Sequence, residues 1–260
     1  MMMETGIRIR AALKATLIHT SISIAVSASV AILVFGVWYP FPYRDLMGGF
    51  QLVGLIIAID AVCGPFLTLL LYSPYKRRAT LIFDLSVVGL LQLAALLYGL
   101  YIIAQARPVA LVFEVDRFVV VSAAQVVGRV ERQLTAINQV SWWGPKTLSV
   151  REPRNTQERI NSLELSLQGV EPSALSTWWQ PYESSLDSIQ KRMKPLRNLY
   201  ENRGNPDQTK IMTSLKELGL LLDLVYYLPL VTQKSLESCI VLLDRQGKIL
   251  GFTFVNGFDD

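Results

Sequence analysis

Phe50-Gln-Leu-Val-Gly-Leu-Ile-Ile-Ala-Ile-Asp-Ala-Val-Cys-Gly-Pro-Phe-Leu-Thr-Leu-Leu-Leu-Tyr72 reads as one helix, long and apolar enough to cross a bilayer. Its single carboxyl, Asp60, stands near the middle, and Gly64-Pro65 follows one turn later. A carboxyl at that depth costs at least about 2.5 kcal/mol unless it is protonated, paired or turned to a protein-lined cavity. Pro65 removes a backbone donor beside the acid, so the helix is expected to bend there. The rest of the N-terminal half reads as support for this acid and this proline.

Upstream, Arg8, Arg10 and Lys14 precede an apolar run from about residue 15 to 38 that ends in Trp38-Tyr39. Val26-Ser-Ala28 offers a small-residue cleavage site, but the run continues far past it and closes in an interfacial aromatic pair. It is read as an uncleaved anchor. Tyr39-Pro-Phe-Pro-Tyr-Arg-Asp45 is a turn, because two prolines interrupt any continuous helix. The second helix covers about 46–72, a basic loop holds Lys76, Arg77 and Arg78, and a third apolar helix covers about 81–104. Basic residues flank the first crossing and return two crossings later, whereas the loop between holds only Arg44. The positive-inside rule then puts the N-terminus and the basic loop in the cytoplasm, and residues 105–260 outside it.

Counting about 1.5 Å per residue from the basic loop places Asp60 and Gln92 at one depth near the midplane. Thr68 and Asp84 share a shallower one. The expected pairs are Asp60 with Gln92, and Asp84 with Thr68 or with the basic loop. On the first helix, Thr16, Thr20, Ser23, Ser27 and Ala31 share a face of small residues, suited to close approach by another helix of this chain or of a partner. His19, the single histidine, reads as an interfacial side chain.

The C-terminal part is expected to be an α+β domain with an antiparallel sheet. Val109–Val121 is rich in β-branched and aromatic residues and reads as a strand, and Leu163–Leu167 alternates as a further strand. Ser184–Tyr200 has helical composition broken at Pro195. Lys210–Leu224 aligns Ile211, Leu215, Leu218 and Leu222 on one helical face. Cys239–Leu243 and Lys248–Phe254 flank Asp244-Arg-Gln-Gly247 as a hairpin. Of the tryptophan pairs Trp142-Trp143 and Trp178-Trp179, each is expected to put one ring in the core and one in a loop, with docking on a membrane or a partner as the alternative.

Composition excludes several functions. Apolar residues are 51% and charged residues 18%, a membrane-protein balance. Before Arg107 there are seven Lys/Arg against four Asp/Glu, and from Arg107 onward 18 against 17. The basic excess therefore sits at the ends of the apolar segments, and no nucleic-acid stripe is expected. Cys63 lies inside an apolar span and Cys239 near the C-terminus, too far apart by topology for a disulfide. One histidine and no Cys/His cluster argue against a zinc site, and no metal, cofactor or small-molecule substrate is expected. No nucleophile elbow, metalloprotease motif or phosphate loop is present, so no catalytic residue is assigned and the chain reads as a non-enzyme. An aspartyl hydrolase built on Asp60 and Asp84 fails on depth, since the two acids differ by about 10–15 Å along the membrane normal. Asp60 is then either a tie between helices or an acceptor for a polar group on a partner helix.

With those residues in place, the chain resembles the type IV pilin accessory proteins of the TfpX/TfpZ group. The resemblance rests on Tyr39-Pro-Phe-Pro, Asp60-x-x-x-Gly64-Pro65-x-x-Thr68, Asp84-Leu85, Gln92, Tyr98-Gly99, Ala106-Arg107-Pro108 and Phe113-Glu-Val-Asp-Arg-Phe118. It closes on Leu242-Leu-Asp-Arg-Gln-Gly-Lys-Ile-Leu-Gly251, whereas about 125–235 carries no anchor. It implies a bacterial inner-membrane protein that chaperones a cognate pilin before assembly, meeting both its membrane helix and its periplasmic head. Asp60, Gly64, Pro65, Gln92, Thr20 and Ser27 are the partner-facing candidates, and Asp84 and Thr68 the structural polar residues. The competing reading is a membrane-anchored periplasmic sensor or envelope scaffold unrelated to pili.

Overall fold

The computed structural model describes residues 2–128, 137, 139–232 and 239–258, with side chains from Arg8 onward. The chain divides into two compact units, one of residues 1–40 and 48–105, the other of residues 41–47 and 106–260.

The first unit is helical. Helix α1 (Met2–Leu33) ends in a wider turn over Val34–Trp38, α3 covers Gly49–Leu71, and α4 covers Arg78–Ala106. All three are long and apolar enough to cross a membrane. Helix α1 starts well before the expected residue 15, since the basic stretch preceding the apolar run is helical too, whereas the ends of α3 and α4 fall within three residues of the expected ones. Helix α3 continues through Pro65 to Leu71. Helices α1 and α3 pack together. Among the described side chains, Ala12, Ser23, Ser27 and Val30 are the buried ones of α1, Val34 is buried in the wider turn, and Val53, Pro65 and Thr68 are the buried ones of α3.

The second unit is built on one curled sheet, which among the described residues has eight strands. These are β1 (Pro108–Glu114), β2 (Arg117–Ser122), β3 (Lys146–Val150), β4 (Trp179–Pro181), β5 (Lys194–Pro195), β6 (Tyr226–Val231), β7 (Cys239–Leu243) and β8 (Ile249–Thr253). The order is β4-β3-β1-β2-β6-β7-β8, with β5 beside β6. The sheet is mixed, not antiparallel as expected: β1 runs parallel to β3 and β2 parallel to β6. Composition marks strands but carries no pairing direction, and here the chain leaves the sheet and re-enters it beside β1 and β2 by crossovers.

Three further expectations change. Residues 109–121 form a hairpin rather than one strand, because Val115 turns the chain at φ 57° between β1 and β2. Leu163–Leu167 is the end of helix α5 (Thr156–Leu167), whose first turn is capped by Asn155 accepting the Glu158 amide at 2.8 Å. The helix expected over 210–224 is α8 (Asn205–Leu218), stopped by Gly219 in the left-handed region at φ 67°. Pro195 does interrupt 184–200, separating α6 (Leu186–Arg192) from α7 (Leu196–Asn202). The terminal hairpin forms as β7–β8 with Gly247 at φ 83° in its turn.

Both sheet faces are covered, which explains unbroken apolar strands. In β7, Ile240 and Leu242 face Leu196 and Leu199 of α7 and Ile211 and Leu215 of α8. Cys239, Val241 and Leu243 face the other layer, with Phe118, Leu228 and Ile189 of α6. That second layer also holds Tyr43 and Leu46 from the short helix α2 (Tyr43–Leu46). The proline-rich turn of the sequence is thus part of the sheet domain's core. Tyr43 meets Phe252 edge-on at 6.2 Å between ring centroids, and Phe41 meets Phe254 at the same distance. The sequence gives no sign of this, since so short a turn contributes core only through contacts distant along the chain.

Candidate functional site

Asp60 is the midpoint of α3 and Gln92 the midpoint of α4. The Gln92 Nε2 donates to Asp60 Oδ1 at 3.1 Å, with a longer contact of 3.4 Å to the Asp60 carbonyl. The side chain reaches the acid by passing over Gly64, where any Cβ would stand 1.9 Å from Gln92 Nε2. A glycine one turn after the acid is therefore the condition for this bond. One step along the same pair of helices, Ile56 lies over Gly99, again in the space of a missing Cβ.

Around this pair the two helices leave a groove of about 620 Å³, lined by Leu55, Ile59, Asp60, Cys63, Gln92 and Ala95 among others. Its walls are otherwise apolar. A carboxylate bonded once still has acceptor capacity, so the groove offers one polar point on an apolar track. Among the described residues there is no cluster of metal-ligating side chains.

The remaining polar residues go elsewhere. Asp84 pairs with Lys76 at 2.6 Å, and the same ammonium donates to the Leu71 carbonyl at 2.9 Å, closing the basic loop on both helix ends. Thr68, buried, takes His19 Nδ1 at 2.6 Å instead of Asp84. The single histidine is thus a link between α1 and α3. Ser27 is buried and Thr20 half-buried, with its hydroxyl donating to the Thr16 carbonyl at 2.9 Å. Pro65 is buried as well. The structure brings Asp60, Gly64 and Gln92 together, and it places Thr20 and Ser27 on α1, outside the lining of the groove.

Comparison with known proteins locates the chain. A model of the fimbrial assembly protein FimB matches residues 7–48. Over 243 residues the chain is 38% identical to the fimbrial assembly protein of serogroup I from Dichelobacter nodosus, covering 93% of this chain and 94% of that relative. This chain belongs to the fimbrial assembly protein family. The serogroup E1 protein of the same organism is 36% identical with the same coverage. The protein of serogroups C1 and C2 is 47% identical over 110 residues, 42% of this chain and 84% of its own length. No solved structure matches this fimbrial assembly protein family member.

The family model's span takes in α1 and the Phe41–Met47 segment, the two parts whose neighbours the sequence did not reveal. In this family member neither tryptophan pair divides between core and loop. Trp178 and Trp179 are both buried, with Trp179 Nε1 donating to the Ser173 carbonyl at 2.8 Å, while Trp142 and Trp143 are both exposed. Burial perturbs titratable groups of the sheet domain: among them, Glu114 is held above the usual carboxylate range, and the Cys239 thiol is pushed up to about 12. Both are packing consequences within the sheet domain. Parts of the stretch 125–235, which held no sequence anchor, lie outside the described residues, namely 129–136, 138 and 233–235.

Proposed function

We propose that this chain is an inner-membrane accessory protein of the TfpX/TfpZ kind, which holds a cognate type IV pilin before the pilus is assembled. In this reading residues 1–104 span the bilayer three times, the N-terminus is cytoplasmic, and residues 105–260 form a periplasmic domain. The names of its relatives supply the assembly context. The observation that carries the mechanism is the Asp60–Gln92 pair opening into an apolar groove at the midpoint of two long helices.

A polar pair facing hydrocarbon is unfavourable unless something polar meets it, whereas an apolar track alone gains little from leaving lipid. A pilin's membrane helix with a donor at matching depth satisfies both conditions. Gly64 admits the Gln92 side chain, Pro65 and Thr68 pack α3, and Thr20 and Ser27 act through the seating of α1. The periplasmic domain then meets the pilin head. The action is stabilisation of a stored subunit, without chemistry.

The test is co-purification of pilin from a piliated host. Ala95→Trp fills the groove from an exposed wall position and is expected to reduce captured pilin at least fivefold. Asp60→Leu is expected to do the same, while Asp60→Asn keeps a partner for Gln92 and retains part of the capture. Normal capture by both Ala95→Trp and Asp60→Leu, at wild-type protein levels, would remove the groove from the function.

A further inference from the structure

Trp142 and Trp143 are the exposed tryptophans of the sheet domain, 57% and 86% accessible, and their position along the chain is not arbitrary. Arg107 is the first residue after α4, and it is itself 4% exposed. Its guanidinium lies 3.9 Å from the centre of the Trp142 ring, and its Nη2 donates to the Ser141 carbonyl at 3.2 Å. The turn is further set by Ser141 Oγ accepting the Trp143 amide at 3.1 Å and by Gly144 at φ 81°. The Trp142 indole is therefore held against the first residue after the third long helix, and Trp143 follows it in the same turn.

The depth of that residue follows from α4 alone. Gln92 stands midway along the helix, and Ala106 lies about 21 Å further on at about 1.5 Å per residue. The hydrocarbon half-thickness is about 15 Å, so Arg107 falls about 6 Å beyond it, and the usual tilt of about 20° takes away only about 1 Å. This is the headgroup layer, where tryptophan and arginine side chains are enriched. Tyr98 and Tyr101, both exposed, approach that layer from the hydrocarbon side on the same helix.

We infer that the turn of Trp142 and Trp143, tied to Arg107 through Trp142 and Ser141, forms an interfacial anchor that inserts into the phospholipid headgroup layer on the domain's side of the bilayer. The inference rests on the reading of α4 as a membrane span. It fits the contrast with Trp178 and Trp179, which the domain core buries. A stacked arginine shields one face of Trp142 and leaves Trp143 as the more exposed ring.

The test uses the full chain in phosphatidylcholine–phosphatidylglycerol nanodiscs. Cys63→Ala removes the exposed thiol, and Cys239 stays in place, buried and unreactive. Single nitroxide labels are placed at Trp143→Cys, at Leu93→Cys on α4, and at Leu167→Cys, an exposed position of α5. Collision with a water-soluble nickel chelate is expected to be at least threefold lower at position 143 than at position 167. In the unlabelled chain, Trp143→Phe is expected to reduce the fluorescence fraction quenched by brominated lipids. Equal chelate access at 143 and 167, with quenching unchanged in Trp143→Phe, overturns the anchor and leaves the turn to a protein partner. A label at Leu93 that is open to the chelate overturns the spanning reading, and the anchor with it.

Discussion

In the three long helices only 22%, 17% and 11% of the residues in each apolar window are buried, whereas every residue of β1 and of β7 is buried. Both regions are rich in leucine, isoleucine and valine, yet they use them differently. The sheet domain closes its apolar residues against its own α6, α7, α8 and the 41–47 segment. The helices turn theirs outward and hold each other through a few polar and small residues. In the proposed membrane-spanning reading, a side chain that faces lipid gains nothing by being buried against another apolar surface, so helix contacts there depend on fit and hydrogen bonds. The lesson is that the same composition gives a self-sufficient core in one region and a surface awaiting another solvent or partner in the other.

The largest test of that contrast falls on the core borrowed from the turn. Tyr43→Ala empties a buried ring position against Phe252 and is expected to cost the sheet domain about 3–5 kcal/mol. Denaturant unfolding of the full chain followed by near-ultraviolet circular dichroism would read it. A cost under about 1 kcal/mol would mean that the segment merely lies on the domain.

A smaller effect is expected in the helices. Gly64→Ala forces the Gln92 amide off Asp60, because the new methyl occupies its path. The loss of one such hydrogen bond is worth about 1 kcal/mol, read as unfolding in mixed micelles of dodecyl sulfate. If Gly64→Ala and Gln92→Ala each lose that much and the double variant loses no more, the two act through one bond.

Helix α5 belongs to neither pattern, since none of its residues is buried and Leu163 and Leu167 are 61% and 90% exposed. Its local order leans on its cap. Asn155→Ala is expected to weaken it by about 1 kcal/mol, seen as faster amide exchange confined to residues 156–167.

The mildest prediction is a pH dependence. Burial raises the Glu114 carboxyl, against the partial offset of the Ser173 amide that it accepts at 3.2 Å. A carboxyl whose folded pKa is raised binds its proton more tightly in the native state. Stability is therefore full below the unfolded carboxylate pKa of about 4.3 and declines as pH rises through the folded value. Glu114→Gln, which keeps an acceptor for Ser173, is expected to flatten this decline. Identical melting curves against pH for the two proteins would show that the group is not the source.

Periodicity and length were enough to mark the three long helices, and the rise per residue was enough to bring Asp60 to Gln92. A straight helix has one variable that sequence records directly, which is distance along the axis. The same arithmetic could not assign Thr68, whose partner His19 comes from a third helix with no sequence register to the other two. Gly64 was visible as a glycine, but its purpose appeared only when Gln92 was found lying in the space of its absent side chain.

By itself the sequence determined the type of the segments with a strong local pattern, namely the apolar helices, the basic loop and the terminal hairpin, but it read Leu163–Leu167 as a strand where α5 ends and 109–121 as one strand where β1 and β2 form a hairpin. Only the tertiary structure decided what each segment meets. It gave the sheet its parallel pairs, moved Tyr43 and Leu46 into a core made by residues far downstream, and closed the small-residue face of α1. The physical reason is that local conformation follows from neighbours in the chain, whereas pairing direction and burial depend on surfaces brought together across it.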